Sequence, residues 1–76
     1  YNKAISFYKK SIKANRKNPD AYNNLGLIYK DLKKYNQGII CFKHSLFLDK
    51  NKPNVYYNLG NIYKIQNQYL YKHSYM

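Results

Sequence analysis

Apolar side chains recur along this chain at steps of three and four, as in Tyr22, Leu25, Ile28, Tyr29, Leu32 and again in Tyr35, Ile39, Phe42, Leu46. That spacing gathers each set on one face of an α-helix, which turns once every 3.6 residues. Between the apolar sets lie the polar stretches Asn15 to Asn18 and Asp49 to Lys52, followed at once by Pro19 and Pro53. A proline is tolerated in the first turn of a helix, where its missing N–H has no intrahelical partner to lose. The pattern predicts helices over residues 1–15, 20–32, 35–49, 54–66 and 69–76, with turns at Lys33-Lys34 and Asn67-Gln68 and no strand.

The pattern also repeats. The segment from Pro19 to Lys30 recurs, with substitutions, from Pro53 to Lys64, 34 residues later. The same offset relates Tyr1-Asn2 to Tyr35-Asn36, Ile5 to Ile39, Tyr8 to Phe42, Ser11 to Ser45 and Ile12 to Leu46. In such an array each unit buries its apolar face only against its neighbours.

A 34-residue helix–turn–helix unit with an aromatic, then Leu-Gly, then Tyr in its first helix resembles the tetratricopeptide repeat. The first-helix positions are Tyr22, Leu25, Gly26, Tyr29 and Tyr56, Leu59, Gly60, Tyr63. The small–aromatic–small positions of the second helix are Ala4, Tyr8, Ser11 and Gly38, Phe42, Ser45. The resemblance implies an all-α fold of antiparallel helix-turn-helix repeats stacked in a right-handed α-solenoid. It divides the single segment 1–76 into a second helix over 1–18, a complete repeat over 19–52 and a partial following repeat over 53–76. Three departures stand out. Arg16 and Lys50 replace the family's closing proline, Lys33-Lys34 and Asn67-Gln68 replace its Gly-Asp turn, and Lys72 stands where a small residue is usual.

On this reading Gly26 and Gly38 face one another where two helix backbones approach closely, and Tyr29 and Tyr63 fill the space beside them. Most tyrosines then belong to the core; Tyr57, Tyr71 and Tyr75 fall off the pattern and are the ones open to a partner.

Candidate chemistry is sparse. Asp20, Asp31 and Asp49 are the only carboxylate side chains and are scattered over helix ends and turns, so acid–base catalysis by a carboxylate pair is excluded within this chain. Cys41 and His44 are three residues apart on one helix, but a structural zinc site wants four ligands and His73 is nearly a full period away. Gly26 and Gly60 lack the spacing of a phosphate-cradling loop. The segment is therefore expected to be non-enzymatic and to need no cofactor or metal. A lone cysteine excludes an internal disulfide and suits the cytosol or nucleus. No apolar run approaches the length of a bilayer span.

The formal charge of +11 directs attention to acidic partners and nucleic acid. The basic residues are spread over both helices of the unit rather than gathered on one face, which disfavours an RNA-binding repeat. Lys, Asn, Ile and Tyr are all encoded by A/T-rich codons, so the lysine excess also has a compositional origin.

In the family the first helix of each pair lines the concave surface, which here offers Asn23, Asn24, Leu27, Lys30, Tyr57, Asn58, Asn61 and Lys64 as a peptide-binding face. Asparagine amides both donate and accept hydrogen bonds and so can hold a peptide backbone, while lysines attract carboxylates. The two-carboxylate clamp of the chaperone-binding subclass needs a basic residue where Asn23 and Tyr57 stand, and is absent. Asn24 and Asn58 resemble the inner asparagine ladder of O-linked N-acetylglucosamine transferase arms, which makes a substrate-recruiting arm the alternative. Finally, the face of Ile5, Tyr8 and Ile12 is expected to lack an internal cover, and segment 69–76 to be too short to cap the array. Copies of the chain are thus expected to associate through exposed repeat ends.

Overall fold

The computed structural model describes the backbone of residues 1–74 and the side chains of residues 1–68. It contains α1 (Asn2–Ala14), α2 (Pro19–Asp31), α3 (Tyr35–Leu48) and α4 (Pro53–Ser74), with no strand among the described residues. Each helix packs against the next one along the chain, and the backbones of α2 and α4 also approach one another, whereas those of α1 and α3 stay apart.

The turns explain how the chain manages without the family's signature residues. Asn18 caps α2, its Oδ1 accepting from the backbone N–H groups of Asp20 at 3.1 Å and Ala21 at 3.3 Å. In place of the closing prolines, Asn15 and Asp49 stand one period apart in extended backbone and accept from Lys17 N–H at 3.1 Å and Asn51 N–H at 2.9 Å. These Asx turns fix the inter-repeat connection by side-chain hydrogen bonding rather than by ring rigidity. The α2–α3 turn closes with Lys33 N–H donating to Lys30 and Lys34 N–H to Tyr29, a Schellman motif. Its left-handed residue is Lys33, at φ 62°, where glycine is the usual occupant.

Two apolar clusters flank α3. Leu25, Tyr29 and Cys41 form one, with Ile5, Tyr8 and Ile12 of α1 packed on it. Phe42, Leu46, Val55 and Ile62 form the other, with Leu27, Tyr35, Ile39 and Leu59 around it. The glycines permit the closest approach. A Cβ on Gly26 would lie 2.7 Å from the Phe42 ring, and one on Gly38 would lie 3.2 Å from the Gly26 carbonyl oxygen. Ser45, fully buried, ties α3 to the start of α2 by donating to the Pro19 carbonyl at 2.7 Å.

Three expectations need correction. The Ile5, Tyr8 and Ile12 face is covered from within, because α2 and α3 supply its partners. The turn at Asn67-Gln68 does not form; α4 runs through it, and the separate helix over 69–76 is instead the continuation of α4 to Ser74. Tyr56 and Tyr63 are not core residues but are 52% and 44% exposed. The last two corrections share one cause. α4 continues through the place where α2 turns back, and Lys72, not a glycine, stands at the register of Gly38. Tyr56 and Tyr63 then have no second helix against them. The side chains of Tyr71 and Tyr75 lie outside the described residues.

Candidate peptide-binding face

Because the backbones of α2 and α4 approach one another while those of α1 and α3 stay apart, the first-type helices α2 and α4 are drawn together on one side of the array. They are joined there by an amide pair, with Asn58 Nδ2 donating to Asn23 Oδ1 at 3.0 Å. Asn23 is buried at 6% exposure, so this bond satisfies a polar group that burial would otherwise penalise. Asn23 thus lies beneath the face, holding Asn58 in place.

The other predicted residues divide by depth. Asn24, Leu27, Lys30, Asn58 and Asn61 are half-buried, while Tyr57 and Lys64 are exposed. Leu27 rests on the Phe42 cluster and forms the apolar floor between the helices. Asn24 and Asn58, one period apart, present amides, and Asn58 keeps a second N–H and its acceptor oxygen after bonding to Asn23. Lys30 and Lys64 stand at matching registers, each six residues beyond its asparagine. Beyond Lys64 the surface opens into a depression lined by Tyr63, Lys64, Gln66 and Asn67. The arrangement suits a ligand with hydrogen-bonding backbone and an acidic group, and it contains no nucleophile–base pair.

The one candidate for metal or thiol chemistry is occupied by packing. Cys41 is buried, and loss of hydration pushes its thiol up to about 11, only partly offset by the charge of Lys9. His44 lies against Tyr22, ring centroids 4.1 Å apart and planes 27° apart, and no group of three metal-ligating side chains assembles among the described residues.

Sequence reasoning missed a second exposed feature. Ile40 and Phe47 lie on the outer face of α3 and are 66% and 79% exposed. Their counterparts one period earlier are Ser6 and Lys13, so the repeat does not require apolar side chains here. That comparison of equivalent positions was the signal available.

Two family models match the chain, one described as TPR repeat over residues 1–33 and one as Tetratricopeptide repeat over residues 19–52. Together they span residues 1–52, most of the chain, and both describe the helix pairs seen in the structure. The chain belongs to the tetratricopeptide repeat family. Repeats of this family generally mediate protein–protein interaction and are typically non-catalytic scaffolds. Comparison with curated proteins and with solved structures returned no match. Among the described residues no helix is long and apolar enough to cross a membrane.

Proposed function

We propose that this tetratricopeptide segment is an interaction scaffold that takes an extended peptide or a partner helix along the face shared by α2 and α4. The reading treats 19–52 as one full repeat flanked by the second helix of one and the start of the next. The observation that supports it best is the Asn58–Asn23 bond, which fixes the spacing of the two inner helices and orients amides toward the face. The ligand favoured by Asn24, Asn61, Lys30 and Lys64 is a peptide with free backbone groups and one or more carboxylates. Selection from a displayed random peptide library tests this. Binders selected on the native chain should lose tenfold or more affinity on Asn24→Ala/Asn61→Ala, and equal binding to both would refute the site.

The asparagine spacing also supports a role as the recruiting arm of a glycosyltransferase; against it, Asn58 spends one donor within the protein. A nucleic-acid role would show affinity falling steeply with salt, as phosphate contacts release counterions. Self-association through apolar side chains of α1 and α4 is part of the proposal, supported by Phe7, Tyr56 and Tyr63 standing in solvent. A single buried thiol suits residence in the cytosol or nucleus.

A further inference from the structure

Ile40 and Phe47 belong to a row that runs along the outer face of α3. With His44 they stand at steps of four and three, so the three side chains share one face of the helix over about two turns. All three are exposed. The row is held in shape from within the protein. His44 stacks on Tyr22, and Phe47 lies beside His44 with ring centroids 6.2 Å apart and planes 53° apart.

Stacking of repeat on repeat leaves this register open. Ile40 and Phe47 stand in solvent with α1, the second helix of the preceding unit, in place. Ser6 and Lys13, at the same registers of α1, are exposed with the following unit, α2 and α3, in place. Large apolar side chains here therefore contribute nothing to the joining of units, and they face whatever lies outside the array.

Charge points to the occupant. One period before Lys43, His44 and Phe47 stand Lys9, Lys10 and Lys13 of α1. These three lysines and Lys43 are all exposed, and neither α1 nor α3 contains an Asp or Glu. Lys9 lies near enough to α3 for its charge to reach the Cys41 thiol. The outer surface thus sets an apolar row on one second-type helix beside a row of cations on the other. We propose that this surface docks an acidic amphipathic helix of a partner protein, its apolar side chains along Ile40 and Phe47 and its carboxylates over the lysines of α1.

Other occupants fit less well. A second copy would bring more positive charge to a face that has no carboxylate to receive it. A single-stranded nucleic acid stacks on successive aromatic rings, and Ile40 offers none. A bilayer accepts apolar side chains in any arrangement, whereas a straight row at helical spacing is what one helix presents to the groove of another. The surface is separate from the face shared by α2 and α4, so the two can be tested independently.

Selection from a displayed library of acidic amphipathic helices of about 18 residues, long enough to be helical alone, tests the proposal on the native chain. Fluorescence anisotropy then reads the affinity of each selected peptide. Ile40→Ser/Phe47→Lys gives α3 the residues that α1 carries at those registers, and circular dichroism should show it folded. The pair removes the apolar row while adding a positive charge. Selected helices should bind it at least tenfold more weakly, whereas attraction by charge alone would make them bind more tightly. Lys9→Glu/Lys13→Glu, also folded, should weaken binding at least tenfold, and Asn24→Ala/Asn61→Ala should bind as the native chain does. A selection that yields no helix, or helices that Ile40→Ser/Phe47→Lys binds equally well, overturns the proposal. So does loss of binding on Asn24→Ala/Asn61→Ala, which would move the helix to the α2–α4 face. With no helix selected, binding of the native chain to phosphatidylserine vesicles would assign the surface to a lipid instead, and assembly of the native chain that Ile40→Ser/Phe47→Lys abolishes would assign it to a second copy.

Discussion

At the scale of single residues, the contrast between Gly26 and Cys41 shows how burial acts on shape in one case and on charge in the other. Gly26 is pinned under the Phe42 ring, so Gly26→Leu forces the ring and the helix apart. Overpacking of this kind costs about 1–3 kcal/mol, which for a chain of this size lowers Tm by about 4–8 °C per kcal/mol. A thermal melt of Gly26→Leu indistinguishable from that of the native chain would show that α2 and α3 do not meet there. Cys41 is the electrostatic counterpart. Its thiol ionises at about 11 in the fold, against an ordinary value of 9.0 once the chain unfolds. Above 9.0 the unfolded chain releases the proton and the folded chain retains it, so this contribution to stability is present below 9.0 and is lost as pH rises through about 11. Chemical denaturation of the native chain and of Cys41→Ala across that window isolates the effect from tyrosine ionisation. The difference between the two should shrink as pH rises, and a constant difference would remove the burial argument.

At the scale of elements, the first three helices and their pairing were legible in the sequence because spacing, proline positions and the 34-residue offset all point the same way. Their ends were legible to within about a residue. What the sequence concealed was the behaviour of α4, since the same pattern that ends α2 at Asp31 suggested an end near residue 66. Neither turn has the glycine that would enforce it, so the stop is decided by whether the following segment can pack. Segment 35–48 can, through Gly38, and segment 69–76 carries Lys72 instead. That α2 and α4 share one side of the array was legible in the repeat, but not the depth of Asn23, whose burial depends on how closely α4 approaches α2. The α2–α3 turn offers a direct measure of how much such packing must overcome. Lys33 is held at φ 62°, a conformation costing a non-glycine residue about 1–2 kcal/mol. Lys33→Gly removes that strain at the cost of a more flexible unfolded chain, leaving a net gain of about 0.5–1 kcal/mol. Urea titration should show a raised midpoint with an unchanged slope; a lowered midpoint would mean that the lysine side chain contributes more than its backbone costs.

At the scale of the whole molecule, the dominant fact is a charge of +11 on a chain of 76 residues. Among the described residues a single ion pair forms, Lys52 to Asp20 at 3.0 Å, and it is largely exposed, so it offsets little of the repulsion. Folding brings the lysines closer than they lie in the open chain, and the two clusters around α3 must overcome that repulsion as well as chain entropy. Salt shortens the reach of the repulsion to about 10 Å at 0.1 M, less than the distance between charges on opposite sides of the array. The chain should therefore melt higher in about 0.5 M than in about 0.02 M sodium chloride, by several degrees. The measurement belongs at high dilution, where docking between copies cannot contribute. The sign carries the information. A higher Tm in salt identifies the lysines as a net cost to the fold, which the acidic ligand proposed above would offset in part. A lower Tm would mean that the described ion pair and its neighbours stabilise the native state more than the remaining charges oppose it, and the search for an acidic ligand would lose its electrostatic reason.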